Sequence, residues 1–139
     1  MEACKCLTHF LHACTLTRLR LHTSVKPMAD CLFCRIVRKE IPADVVYEDG
    51  EVVAFRDIHP KYRVHLLVIP KNHLASAAAI SPAQDALMGK VLRVGGELAQ
   101  AQGLLESGFR LLTNTGPDAG QVVPHVHLHL LGGEPLRPL

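Results

Sequence analysis

The chain has 139 residues, 48% of them hydrophobic, which suffices for one buried core and predicts a single domain. A formal charge of +2 is too small for an electrostatic grip on nucleic acid, and no apolar run approaches the roughly 20 residues that cross a bilayer, so neither partner is expected. The odd count of five cysteines argues against a complete disulfide framework, and reduced thiols in a cytoplasmic protein are the expectation.

Residues 1–27 stand apart. They carry Lys5, Arg18, Arg20 and Lys26 against the single acid Glu2, and they lack helical or strand periodicity. They read first as an N-terminal extension or a start misplaced ahead of Met28. A transit peptide (acid-poor, with arginine and hydroxyl residues) is the second reading, and a Cys/His metal site, whose spacings match no common pattern, the third. The fold is therefore assigned to residues 28–139.

From Cys31 a Cys-x-x-Cys turn leads into a short helix marked by Phe33, Ile36 and Val37, with Pro42 as its limit. VVYE and VVAFRD flank Asp49-Gly50, a pair that predicts a hairpin turn. Residues 64–70, VHLLVIP, form an apolar run of strand length. Ser81, Pro82 and Gln84 then supply an N-cap, a first-turn proline and a capping box. Leu87, Val91, Val94 and Leu98 lay one apolar stripe along the helix that follows, Gly95-Gly96 weakens its middle, and Gly103 is a plausible stop. GFRLLTN reads as a strand, TGPDAGQ as a loop, and HVHLHLL, residues 125–131, as the last strand. Hairpins and loops join most strands and the helix is inserted once, which predicts an antiparallel α+β sheet.

His125, His127 and His129 alternate with apolar residues, so a strand sets all three imidazoles on one side. Any half-buried strand alternates; three histidines in the polar places do not arise so cheaply. A single ion bound by all three is disfavoured, because the outer Cα atoms of a strand lie roughly 13 Å apart and zinc–nitrogen bonds are only about 2 Å. A neutral imidazole that attacks phosphorus fits better, its neighbours holding phosphate oxygens or moving protons. The loop carrying Gly116 and Gly120 adds backbone amides suited to an anion.

HVHLHLL resembles the signature of the histidine triad superfamily of nucleotide hydrolases and transferases. RKEIPADVVYEDGEVVAFRDI, HLLVIPKNH and NTGPDAGQ extend the resemblance to the purine nucleoside phosphoramidase branch over residues 30–133. It implies a homodimer sharing a continuous sheet, and hydrolysis of the P–N bond of purine nucleoside (adenosine) phosphoramidates. It also implies roles for single residues. His127 is the nucleophile that forms a nucleotidyl-histidine, His129 contacts phosphate and assists proton transfer, and His125 and Asn114 complete the catalytic set. Asp57 takes the ribose hydroxyls, and Leu32, Phe33, Phe55 and Ile58 wall the base, though each of these apolar residues alone would read as core. Gly120, Gln121 and Val122 border the phosphate. Val122 departs from animal members, which carry serine there, so the proton for the leaving group is assigned to His129 or water.

Cys31 and Cys34 allow a redox pair, two core thiols or half of a zinc site, and the βαβ context of a redox pair is missing. In zinc-containing relatives the other ligands are the histidine that begins the HLLVIP block and the first triad histidine, here His65 and His125, giving a structural zinc. His59 competes as fourth ligand, and His73 is assigned a structural place. The rivals to the phosphoramidase reading are a dinucleoside polyphosphate hydrolase or nucleotidyl transferase with the same nucleophile, and a non-enzymatic nucleotide binder.

Overall fold

The computed structural model describes residues 30–139; what was expected of residues 1–27 and of a start at Met28 lies outside them. A short helix α1 (Leu32–Val37) is followed by strands β1 (Val45–Glu48), β2 (Val52–Arg56) and β3 (Val64–Pro70). Helix α2 (Asp85–Ala101) and strands β4 (Phe109–Leu112) and β5 (Leu128–Gly132) complete the chain. All strand pairs are antiparallel, in the order β1-β2-β3-β5-β4. The α+β class and the element order match the expectation.

Local chemistry explains most boundaries. Asp49 closes the β1–β2 hairpin: its Oδ1 accepts the N–H groups of Glu51 (2.8 Å) and Val52 (2.9 Å), and its Oδ2 accepts the Tyr47 hydroxyl at 2.7 Å. These donors, with the Lys90 ammonium 3.0 Å from Oδ2, hold its carboxyl well below the ordinary carboxylate range, the Tyr47 bond most of all. Helix α1 stops at Val37, earlier than Pro42 alone demanded, because Lys39 adopts a left-handed φ of 62°. At Ser81 the expected cap forms, its N–H donating to Gln84 Oε1 at 2.8 Å, but the first turn, Pro82–Gln84, is 3-10 before α2 proper begins. Gly103, at φ 72°, ends that helix as expected.

The sheet is covered on both faces. Val52, Ala54, Leu66, Val68 and Leu130 pack under Val91, Val94 and Leu98 of α2. Fully burying side chains such as Leu66 and Leu130 stabilises by about 1.5–3 kcal/mol each. Gly95, expected to weaken α2, lets it approach: a Cβ there would lie 3.0 Å from a Leu111 methyl and 3.3 Å from one of Leu128. The alternate residues Val53, Phe55, Leu67 and Ile69 face the other way, against Cys31, Phe33 and Cys34 of the α1 segment. Strands buried on both faces favour apolar residues at successive positions, which is why β2 reads as an apolar run from Val52 to Phe55 and β3 as one broken only by His65.

One strand boundary differs from expectation. β5 begins at Leu128, so His125 and His127 precede it. Their stretch is tied elsewhere: the Val126 N–H donates to Leu74 O at 2.6 Å and that of His125 to Val123 O at 2.8 Å. The segment after β3 thus holds the approach to β5 and brings residues 73–75 beside the histidines.

Candidate active site

A cleft of about 440 Å³ opens on the sheet face opposite α2. Leu32, Phe33, Phe55, Asp57, Ile58, Asn114, Gly120, Val122, His127 and His129, to which the sequence reading gave binding or catalytic roles, all line it. Phe33 stands edge-on to Phe55 (centroids 5.5 Å apart) and to His127 (5.2 Å), so one ring joins the apolar wall to the histidines. Ile58 and Val122, at 82% and 89% exposure, leave an apolar mouth that a ligand can cover. Gln121 lies behind the lining. Its Nε2 donates to Ala75 O (2.7 Å) and Val123 O (3.0 Å) while its Oε1 accepts the Gly116 N–H (2.9 Å), so it braces the glycine loop. Ala43, Leu67 and Val123, which also border the cleft, carried no sequence signal beyond being apolar.

The triad divides its work. His127 Nδ1 lies 2.7 Å from His125 O, and since a carbonyl only accepts, Nδ1 carries the proton. The lone pair of neutral His127 therefore sits on Nε2. The rings of His127 and His129 are 4.9 Å apart. His129 Nδ1 meets His65 Nε2 at 2.9 Å, while His129 Nε2 is buried and has no hydrogen-bond partner among the described residues. Burial first, then the neighbouring His127 and His65, pushes the His129 imidazole down to about 4, so it is neutral at physiological pH. Asp57 Oδ1 accepts the His59 N–H (2.8 Å), and its Oδ2 lies 3.4 Å from His65 Nε2. Lys61 donates its backbone N–H to His65 Nδ1 at 3.1 Å.

His125 is fully buried and its ring turns away from the cleft, so its contribution there is the carbonyl that holds His127. Its Nδ1 faces Cys31 Sγ and Cys34 Sγ, each at 3.6 Å, and His73 Nδ1 at 3.3 Å; Cys34 Sγ and His73 Nδ1 are 3.2 Å apart. These four donors lie within 4.8 Å of one another and could hold a metal ion. His73, assigned only a structural place from sequence, is the fourth member, and His65 is not one. The reason is register. β3 and β5 run antiparallel with His65 opposite Leu131 and Val68 opposite Leu128, so His125 lies beyond the Pro70 end of β3 while His65 lies near the other end. Pro70 is five residue steps along the strand from His65, roughly 16 Å. His59, the other candidate, lines the cleft instead.

The spacings suit zinc. Tetrahedral bonds of about 2.0–2.1 Å to nitrogen and 2.3 Å to sulfur put nitrogen pairs about 3.3 Å apart and nitrogen–sulfur pairs about 3.6 Å apart. His125 Nε2 donates to Pro70 O at 2.8 Å, which turns the Nδ1 lone pair into the cluster. Burial, then the Cys31 thiol, pushes the Cys34 thiol up to about 11, so without a cation Cys34 is neutral, and an ion entering must displace its proton.

Comparisons with known proteins agree with this geometry. The HIT domain family model matches residues 38–136. Protein HitA of Neisseria gonorrhoeae is 50% identical over 105 residues, covering 76% of this chain and 97% of that protein. The purine nucleoside phosphoramidase of Escherichia coli K12 is 41% identical over 110 residues, 79% of this chain and 92% of the relative. A HIT family hydrolase from Legionella pneumophila Philadelphia 1 superimposes with a TM-score of 0.77 at 47% identity, covering 78% of this chain and 96% of its own.

Proposed function

The chain belongs to the HIT domain family, and from that premise we propose that it is a nucleotide hydrolase cleaving the P–N bond of purine nucleoside phosphoramidates through a nucleotidyl-histidine. The observation that carries this reading is the pairing of nitrogens in the cleft. His127 Nδ1 is committed to the His125 carbonyl, which leaves Nε2 as the nucleophilic lone pair, and beside it stands His129, whose buried Nε2 has no hydrogen-bond partner among the described residues. A relative at 41% identity is a purine nucleoside phosphoramidase, which supports the substrate class.

In the first half-reaction His127 Nε2 forms a bond to the α-phosphorus as the P–N bond breaks. Asp57 takes the ribose hydroxyls, and the base lies between Leu32, Phe33, Phe55 and Ile58. A neutral His129 serves as a hydrogen-bond donor to a phosphate oxygen where charge develops, rather than as a strong acid. The departing amine therefore takes its proton from water, admitted at the open mouth where Val122 offers no hydroxyl. In the second half-reaction water attacks phosphorus and gives its proton to the hydroxide left by the first, the P–Nε2 bond breaks, and nucleoside monophosphate and free neutral His127 are released. Asn114 and the amides of the glycine loop orient the phosphate.

Zinc is the ion we assign to Cys31, Cys34, His73 and His125. Its part is structural: four protein ligands close the site, tethering α1 to the histidine segment and fixing the carbonyl of His125. Such a site requires reduced thiols, in keeping with residence in the cytoplasm. We further propose that the family unit spans residues 28–139 and that two copies pair through β4, the edge of the sheet, into one continuous sheet. Among the described residues no helix is long and apolar enough to cross a membrane.

The test is His127→Ala assayed on an adenosine phosphoramidate alongside AMP binding. Turnover should vanish with binding retained, and unchanged turnover would remove the mechanism.

A further inference from the structure

The histidine pair at the start of β3 contains its own record of where the protons lie. A backbone N–H can only donate, and that of Lys61 points at His65 Nδ1 from 3.1 Å. The lone pair of neutral His65 is therefore on Nδ1 and its proton on Nε2. Nε2 has two acceptors in range, His129 Nδ1 at 2.9 Å and Asp57 Oδ2 at 3.4 Å, and the shorter contact is of hydrogen-bond length. If His65 donates there, His129 Nδ1 accepts, and the single proton of neutral His129 must sit on Nε2, the buried nitrogen left without a partner among the described residues.

We propose that His65, oriented by the backbone amide of Lys61, is a positioning residue that fixes His129 as the Nε2–H tautomer aimed into the cleft. The inference rests on the reading of the cleft as a phosphoryl-transfer site, because there a neutral His129 works only if the nitrogen facing the phosphate carries the proton. The opposite tautomer would set a lone pair against phosphate oxygens and repel them.

Asp57, His65 and His129 also have donor atoms within 4.8 Å of one another, a spacing compatible with a metal ion. The Lys61 amide works against that alternative. An ion bound at His65 Nε2 would force the imidazole proton onto Nδ1, opposite the Lys61 N–H, with two donors then facing each other at 3.1 Å. At His125 the arrangement is reversed, since its Nε2–H has the Pro70 carbonyl to bond and its Nδ1 is free for an ion.

Nitrogen-15 NMR of the full chain, labelled and without substrate, reads the tautomer directly. His129 should show a protonated, pyrrole-type Nε2 and a pyridine-type Nδ1 at neutral pH. His65→Leu should mix or reverse that pattern and lower kcat roughly tenfold to a hundredfold with little change in KM. His65→Gln, whose carbonyl can accept the Lys61 N–H while its amide donates to His129, should keep the tautomer and recover most of kcat. An Nδ1–H His129 in the unaltered protein would overturn the proposal. So would a glutamine variant no better than leucine, or a leucine variant with tautomer and kcat unchanged. The tautomer is read in the resting protein, so failure to turn over phosphoramidates would sink the proposed reaction alone, while a wrong tautomer with turnover intact would sink this inference alone.

Discussion

Beyond the Pro70 end of β3, His73 and His125 bring two Nδ1 atoms within 3.3 Å with two thiols alongside; near its other end, His65 and His129 meet at 2.9 Å with a backbone amide behind them. Both groups are largely buried histidine clusters, one carried by β3 and β5 and the other lying just beyond the adjoining ends of those strands. What separates them is the partner of the nitrogen that faces away. A carbonyl behind His125 takes a proton and leaves lone pairs converging, which suits a cation. An amide behind His65 supplies a proton and leaves an N–H pointing forward, which suits a chain of hydrogen bonds. One strand-and-loop frame thus sets a cluster that could hold an ion a few residues from a hydrogen-bonded histidine pair, and the composition of the two clusters alone would not have told them apart.

The comparison breaks most visibly at neighbouring triad positions. His127→Ala should cut phosphoramidate turnover by about four orders of magnitude or more while lowering the melting temperature less than loss of a proposed zinc ligand would, as kinetics and calorimetry on one preparation would record. His125→Ala should do the reverse in emphasis. It deletes a fully buried ring and a proposed zinc ligand, so metal content should fall below one ion per chain and stability should drop.

Stripping the metal with a strong chelator should lower Tm by about 10 °C or more, the scale expected when a few kcal/mol of linked binding are lost. Turnover measured well below the new Tm should fall less steeply, since the ion touches no reacting atom. If activity and metal were lost in strict proportion with no change in Tm, the division between the two clusters would be wrong.

Acid should act on the second cluster through His129. Its folded value of about 4 lies below the ordinary unfolded value near 6.5, so the unfolded chain binds the extra proton first. Stability from this group is complete above about pH 6.5 and is lost as pH falls through that window toward 4. A Tm-versus-pH curve for His129→Gln should be flatter over the same window than that of the unaltered protein.

Val122→Ser should have the smallest effect. It adds a hydroxyl at an exposed site on the cleft wall, and a rate gain of roughly a few-fold, larger for poorer leaving groups, is expected in a series of amine leaving groups. No dependence on the leaving group would mean that the added hydroxyl does not reach the departing amine.

Much of this was legible in the residues because it is local. The Asp49 turn, the Ser81–Gln84 box, the Gly103 stop and the stripe on α2 each depend on neighbours a few positions away, and each formed. The alternating histidines also announced themselves, and all but one of the residues assigned to nucleotide binding line the cleft. What failed depended on how distant segments align. Choosing His73 over His65 required the register of β3 on β5, which no local pattern encodes. Gln121 looked like a ligand contact but braces the loop against Ala75, 46 positions away. The late start of β5 came from the Val126 bond to Leu74, another long-range tie.

The claim on which the account turns is that His127 Nε2 becomes bonded to phosphorus. Rapid acid-free quench of the protein with an adenosine phosphoramidate, followed by peptide mass spectrometry, tests it in one step. The account predicts a transient adenylyl adduct on the peptide that contains His127, absent from His127→Ala and present in His129→Gln. An adduct mapped to His129 or His125, or turnover with no adduct at any time point, would contradict it.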